Sequence, residues 1–145
     1  MPRILLETIV ASDFRTVFAG FNEELFMRLR PPLLPFNLRR FDGCAVGDEV
    51  HIGLGPGVEW QALIVEQEES ADEIYFVDTG KQLPPPLKDW RHRHGIQRVT
   101  DDTARIVDDI TFTSGFAPLD WLMYPVLYVL FAIRGPVYRK VFGKV

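Results

Sequence analysis

Residues 118–145, PLDWLMYPVLYVLFAIRGPVYRKVFGKV, decide the fold of this chain. The run of 13 residues at 121–133 carries no charge. It is too short to cross a bilayer core, which takes about 20 apolar residues. We therefore predict a helix that is buried by other protein. Basic residues follow the run: Arg134, Arg139, Lys140 and Lys144.

Two prolines set the expected bounds of this helix. A proline is tolerated in the first turn of a helix, where its missing N–H has no partner to lose. Pro125 therefore predicts a helix that begins within residues 120–122. The Gly135-Pro136 pair predicts a kink or break further along.

Length and composition indicate one soluble domain over residues 1–145, large enough to bury about two-thirds of the surface of its unfolded chain. The formal charge of −4 provides no general attraction for nucleic acid or an anionic membrane. The single cysteine, Cys44, excludes an intramolecular disulfide and a cysteine-rich zinc site. The first residues do not have the pattern of a signal peptide, so we expect a cytoplasmic protein.

The chain before the C-terminal helix has the pattern of short strands separated by turn residues. Two short amphipathic segments follow the first strand, and Pro31-Pro32 ends the second of them. We predict an α+β fold in which a curved antiparallel sheet of about seven strands wraps around the long C-terminal helix. The predicted strands are 3–11, 34–41, 49–54, 58–66, 73–79, 89–99 and 104–113, and the predicted short helices are 13–21 and 23–29.

The last two strands place polar side chains on an apolar face. The two-residue period of a strand puts His92 and His94 on the same face as Trp90. The same period puts Asp108 beside Ile110 on the next strand. A hairpin that turns at residues 100–102 pairs His94 with Asp108 and His92 with Ile110, and a slip of one residue would destroy this pairing.

Several short segments, in their order and spacing, resemble the helix-grip fold of the START and polyketide-cyclase-like (SRPBCC) superfamily. Within it the chain is similar to a bacterial branch of ligand-binding SRPBCC or cell-division-inhibitor-associated proteins. It departs from that pattern at Pro85-Pro86-Leu87, where members carry Gly-Pro-aromatic, and at Phe112, where they carry tyrosine. The matching segments are Pro31-Pro32, Trp60, Phe76-Val77-Asp78, Trp90-Arg91-His92-Arg93-His94, Asp108-Asp109-Ile110-Thr111-Phe112 and Phe131-Ala132-Ile133-Arg134.

The resemblance implies a cavity between sheet and helix that holds a lipid, sterol, polyketide or other apolar molecule. An apolar pocket needs a few polar groups to orient its ligand, and His92, His94 and Asp108 are the candidates. The expected ligand-binding residues are Trp60, Tyr75, Phe76, Trp90, His92, His94, Asp108, Ile110, Phe112, Tyr124 and Tyr128.

Two other functions fit the same residues. An enzyme of the cyclase or dehydratase type would use His94 as acid or base, with Asp108 orienting it and His92 beside it. Alternatively, the eleven phenylalanines and three tryptophans could fill the interior of an interaction module, with the histidines in a satisfied internal network.

The sequence predicts neither a cofactor nor a metal. Residues 53–57 are rich in glycine but precede a strand, whereas a phosphate-binding loop opens a helix. His92, His94 and a carboxylate have the composition of a two-histidine metal site, but their neighbours are apolar. The basic C-terminal end is the candidate for transient contact with a membrane or a protein.

Overall fold

The computed structural model describes residues 1–32 and 34–145. Its elements follow the predicted order of strand, two short helices, strands and C-terminal helix. The strands are β1 (Arg3–Val10), β2 (Asn37–Phe41), β3 (Glu49–Gly53), β4 (Glu59–Glu69), β5 (Glu73–Gln82), β6 (Asp89–Arg98) and β7 (Ala104–Thr113), and the helices are α1 (Phe14–Ala19), α2 (Glu23–Arg28), α3 (Ala117–Ala132) and α4 (Arg134–Phe142).

The seven strands form one antiparallel sheet in the order β1-β7-β6-β5-β4-β3-β2. Each strand from β2 to β7 pairs with its neighbour in sequence, and β1 pairs with β7 at the far edge. Register shifts in the β4–β5 pairing, at Gln61/Ala62 and at Ile64/Glu66, bend the sheet. The α+β helix-grip architecture predicted from the sequence is confirmed.

Local capping explains where the two short helices begin. The Asp13 side chain accepts a hydrogen bond from the backbone N–H of Thr16 and caps α1. The Asn22 side chain accepts one from the backbone N–H of Leu25 and caps α2. Both helices lie between β1 and β2, as predicted.

The C-terminal helix begins earlier than the prolines predicted. α3 starts at Ala117, with Pro118 in its first turn, so the predicted start at residues 120–122 is wrong. Pro125 lies inside the helix on an exposed face, where water can reach the carbonyl that its missing N–H leaves free. The predicted interruption is confirmed: Ile133 separates α3 from α4, and Pro136 lies in the first turn of α4.

The buried side chains form two clusters on the concave face of the sheet. The first joins β1, α1, α2 and α4 through Val17, Leu25, Ile96, Tyr138 and Phe142, among others. The second lies beneath α3 and includes Trp90, Ile110, Phe112 and Leu127. The space between the two clusters is the place where a cavity can form.

The long helix is less covered than its apolar sequence predicted. Together α3 and α4 (Ala117–Phe142) are long and apolar enough to span a membrane by length and composition alone, and they contact each other, β1 and β7. Only 6% of the residues in the most apolar window are buried. The prediction of a helix buried by other protein holds for the side that carries Leu127 and is wrong for the opposite side.

Candidate functional site

A cavity of about 200 Å³ lies between the sheet and the helices. Strands β3 to β6 form its floor, α3 and α4 form one wall, and the segment from α2 to β2 borders it on the other side. Its lining is mostly aliphatic and aromatic. The aromatic lining residues are Phe21, Phe26, Phe36, Phe41, Trp60, Phe76, Trp90, Phe131 and Tyr138.

Polar groups of the sheet gather at one end of this cavity. His94 pairs with Asp108 and His92 pairs with Ile110 across β6 and β7, so the predicted register is confirmed. Each histidine, however, forms its hydrogen bond with a carboxylate diagonally across the sheet rather than with the residue directly opposite. His92 Nε2 lies 2.8 Å from Asp108 Oδ1, and His94 Nε2 lies 2.6 Å from Asp78 Oδ2 on β5. His94 and Asp108 do not form a hydrogen bond, because His94 Nδ1 lies 3.9 Å from Asp108 Oδ1, so Asp78 rather than Asp108 orients His94.

An aromatic column holds the two imidazoles in place. The Phe76 ring stacks on His94 with ring centroids 4.3 Å apart, and His94 stacks on His92 at 3.6 Å. The edges of Trp90 and Phe131 close the far side of His92. Stacking against both Phe76 and His92 leaves the His94 imidazole little freedom to rotate away from its carboxylate.

Burial and neighbouring charges decide which of these groups carry charge. Burial, with repulsion from His92, lowers the pKa of His94 to about 4. Its exposed fraction of 12% faces the cavity rather than bulk water, so desolvation governs this pKa. Burial acts to raise the pKa of Asp78 and of Asp108, but the hydrogen bond from a histidine and the nearby positive charges outweigh it, and each pKa is lowered. At neutral pH the site therefore holds two carboxylates and a neutral His94.

Asp78, His92 and His94 could together hold a metal ion, because one ligand atom from each lies within 4.8 Å of the others. Asp78 is the oxygen ligand that sequence reasoning missed. The present geometry is that of hydrogen-bonded pairs instead, since the 2.6 Å contact between His94 and Asp78 is shorter than the spacing of two ligands around one ion. The stacked rings would also have to turn before both nitrogens could face one ion. The expectation that no metal binds here stays a prediction.

Helix α4 supplies two further polar groups to the same end of the cavity. Arg134 and Tyr138 are one turn apart and both line it. Tyr138 is 1% exposed, and its Oη has no hydrogen-bond partner among the described residues. Burial, and next the charge of Asp108, raise the pKa of this phenol, while the neighbouring Arg134 side chain acts to lower it without reaching hydrogen-bond geometry with Oη. The sequence contains a signal for both residues, because the helical spacing that includes Leu127 and Phe131 continues across the expected break to Arg134 and Tyr138.

Five of the expected binding residues line the cavity: Trp60, Phe76, Trp90, His92 and His94. Asp108 is buried behind His92 and does not reach the cavity surface. Ile110 and Phe112 belong to the core cluster beneath α3, so their expected place in the lining is corrected. Each of the two is 0% exposed, and neither borders the cavity.

The expected tyrosines lie outside the cavity. Tyr75 follows the alternation of β5 and points to the outer face, where the Arg93 guanidinium lies 4.0 Å from its ring centroid. Tyr124 packs against the cluster beneath α3 and stacks on Tyr128, which is exposed. The expected place of all three tyrosines in the cavity lining is corrected. The alternation of β5 turns Tyr75 away from the cavity, and the orientation of α3 keeps Tyr124 and Tyr128 out of it. Asp78 lies two residues beyond Phe76, so it is on the cavity side of β5, whereas Tyr75 is on the opposite side.

No protein-family model matches the sequence, and no curated protein is significantly similar to it. Solved structures do match over nearly the whole chain. A Thermobifida fusca protein is 20% identical with a TM-score of 0.68, over 100% of this chain and 98% of that one. The protein XoxI from Bacillus cereus is 13% identical with a TM-score of 0.68, over 98% and 96%.

A third match is norcoclaurine synthase from Thalictrum flavum in complex with dopamine and hydroxybenzaldehyde. It is 12% identical with a TM-score of 0.57, over 94% of this chain and 86% of that one. Identities this low show the fold alone, and the bacterial branch suggested by the sequence stays a prediction. The chain has the α+β helix-grip fold that these solved structures share.

Proposed function

We propose that this protein binds an apolar small molecule in the cavity between the sheet and the C-terminal helices. The observation that carries the proposal is an apolar-lined space of about 200 Å³ whose polar groups gather at one end. Ligand pockets combine a largely apolar lining with a few polar groups that orient the ligand. The hollow interior also weighs against an interaction module with a filled core.

The size of the cavity narrows the class of ligand. Pockets for drug-sized molecules usually measure about 300–1,000 Å³, and an apolar cavity of about 150 Å³ can bind benzene. A cavity of about 200 Å³ therefore suits a molecule of one or two rings better than a sterol or a whole lipid. The aromatic lining around Trp60, Trp90 and Phe131 supports a flat aromatic ligand.

Catalysis by acid–base chemistry is the alternative, and the hydrogen-bonded pair of His94 and Asp78, which both line the cavity, favours it. A general base works best when its pKa is near the working pH. Burial lowers the pKa of His94 to about 4, so it is a weak base at neutral pH. We therefore place binding first.

Native mass spectrometry of the freshly purified protein, with organic extraction of the bound mass, tests the proposal. We also expect naphthalene to change the tryptophan fluorescence saturably, because Trp60 and Trp90 line the cavity. Ala62→Phe should abolish both signals, since Ala62 borders the cavity. Leu63→Phe is the matched control, because the neighbouring residue points to the opposite face of the strand. Wild-type protein with neither a bound mass nor a saturable signal contradicts the proposal.

We also propose that the outer face of α3, formed by Trp121, Leu122, Val126 and Val129, rests on an anionic membrane. These side chains are 62%, 72%, 61% and 58% exposed, respectively. Contiguous exposed apolar surface of this kind marks an interaction site. A shallow groove between this face and residues 84–87 shares Trp60 and Leu127 with the cavity, which gives an apolar ligand a short path between the two.

Charge at both ends of this face favours a membrane over a second copy of the chain. Lys88 lies beside Gly115 at the start of α3, and Arg139, Lys140 and Lys144 are exposed beyond its end. The acidic residue of α3, Asp120, is buried. If two such faces paired, the basic residues of one copy would lie near those of the other in either orientation, and they would repel each other. An anionic surface attracts the same residues. Each basic residue near such a surface contributes about 1 kcal/mol, which gives weak, reversible binding.

Co-sedimentation with vesicles tests this contact. We expect the protein to bind phosphatidylcholine vesicles only when they contain phosphatidylglycerol, and to dissociate at high salt. The double variant Trp121→Ser, Leu122→Ser should lose this binding. Val65→Ser, Val99→Ser is the control, because those exposed valines lie on the sheet strand β4 and just after β6. Unchanged sedimentation of the Trp121, Leu122 variant, or a dimer that this variant abolishes, contradicts the membrane proposal.

A further inference from the structure

One end of the cavity is polar and presents hydrogen-bond donors from one side and hydrogen-bond acceptors from the other. Its residues are Asp78, His92, His94, Arg134 and Tyr138. The donors come from α4. The Tyr138 hydroxyl is buried and has no hydrogen-bond partner within residues 1–32 and 34–145, although burying an unpaired polar group costs free energy. A ligand atom that accepts a hydrogen bond from Oη would remove that cost.

Arg134 is the second donor of α4. It is half-buried, and its guanidinium lies 4.5 Å from the centroid of the Phe131 ring. Among the residues that the structure describes, no carboxylate forms an ion pair with it. Its positive charge still helps to lower the pKa of Asp78 and Asp108. Arg134 therefore contributes positive potential at the polar end of the cavity.

The acceptors come from the sheet. An ionised carboxylate can only accept hydrogen bonds, so Asp78 requires the proton of His94 to sit on Nε2. A neutral His94 then has a lone pair on Nδ1. Asp78 itself lines the cavity and keeps acceptor capacity on its carboxylate. A ligand group at this end therefore meets acceptors on the sheet and donors on α4.

We propose that the ligand carries one neutral hydroxyl, as a phenol, enol or alcohol does, at the end that faces Tyr138 and Asp78. The hydroxyl accepts a hydrogen bond from Tyr138 Oη and donates one to an acceptor on the sheet. A ligand carboxylate would meet Asp78, and a ligand ammonium would meet Arg134, because both residues line the cavity. In a low-dielectric pocket either full charge is destabilised by its like charge, while a hydroxyl satisfies both sides. This inference rests on the proposed binding function.

Four ligands with one ring system separate the chemical classes: naphthalene, 2-naphthol, 2-naphthoate and 2-(aminomethyl)naphthalene. We expect 2-naphthol to bind at least about tenfold more tightly than each of the other three at pH 7, by tryptophan fluorescence or calorimetry. Tyr138→Phe should reduce the preference for 2-naphthol over naphthalene severalfold. This variant removes an unpaired hydroxyl and no packing atom of the ring, so it should fold. Tyr124→Phe, outside the cavity, is the matched control.

The outcomes separate the two proposals. Tighter binding of the carboxylate or the ammonium overturns the hydroxyl assignment and leaves the binding function in place. A preference for 2-naphthol that Tyr138→Phe does not change also overturns it. If none of the four ligands binds and no mass co-purifies, the binding function itself fails and this inference fails with it.

Discussion

His92 and His94 each reach a carboxylate one step away along the sheet rather than the residue directly opposite. His94 lies opposite Asp108 on one side and opposite Phe76 on the other, yet it bonds Asp78. His92 lies opposite Ile110 and bonds Asp108. Diagonal neighbours are still within reach of a long side chain. Strand register could therefore predict that the four groups meet, but not which carboxylate each imidazole selects.

The same residues predict a loss of stability in mild acid. His94 has a folded-state pKa of about 4 and an ordinary value of 6.5, so the unfolded state binds one more proton between these values. Its stabilising contribution is present above pH 6.5 and is lost as the pH falls toward 4. We expect the free energy of unfolding to drop by about 2 kcal/mol from pH 7 to pH 5.

Urea unfolding at pH 7, 6 and 5 measures this loss. His94→Gln keeps a donor for Asp78 and removes the titrating group, so its stability should depend less on pH over this range. The groups that face His94 are Asp78, His92 and Asp108. The two carboxylates have lowered pKa values, so their contribution is lost only below about pH 4. Equal pH dependence in the wild type and the variant contradicts the assignment to His94.

Helix α3 shows how one apolar sequence can present a core face and an exposed face. Leu127 is 9% exposed and packs beneath the helix, whereas Leu122 is 72% exposed. The sequence alone gives both leucines the same apolar character. Asp120 sets the orientation of the helix, because its carboxylate accepts hydrogen bonds from the Thr113 hydroxyl and from the backbone and hydroxyl of Ser114.

A matched pair of substitutions measures the difference between the two faces. Leu127→Ala should lower the free energy of unfolding by about 2–4 kcal/mol, because it removes buried methyl groups from the core. Leu122→Ala makes the same chemical change and should cost less than about 1 kcal/mol. Urea denaturation of both variants provides the comparison. An equal cost would mean that the outer face of α3 is covered in solution.

At the scale of the whole molecule, the cavity exists because two packed regions do not meet. One region joins α1, α2 and α4 over one end of the sheet, and the other lies beneath α3 at the opposite end. The register shifts in the β4–β5 pairing bend the sheet between them. Strand periodicity predicts which side chains face inward, as it did for Trp90, His92 and His94, but not how far two distant clusters are apart. That distance depends on the packing of all elements together.

The sequence by itself determined the order of elements, the inward faces of the strands and the register of β6 on β7, because these follow from local periodicity and a short hairpin. The tertiary structure alone decided that Asp78 joins the histidines, that the Tyr138 hydroxyl has no hydrogen-bond partner in the described part of the chain, and that α3 leaves Trp121 and Leu122 exposed. Each of these depends on contacts between elements far apart in the chain. A residue's own neighbours in sequence do not specify which distant surface will cover it.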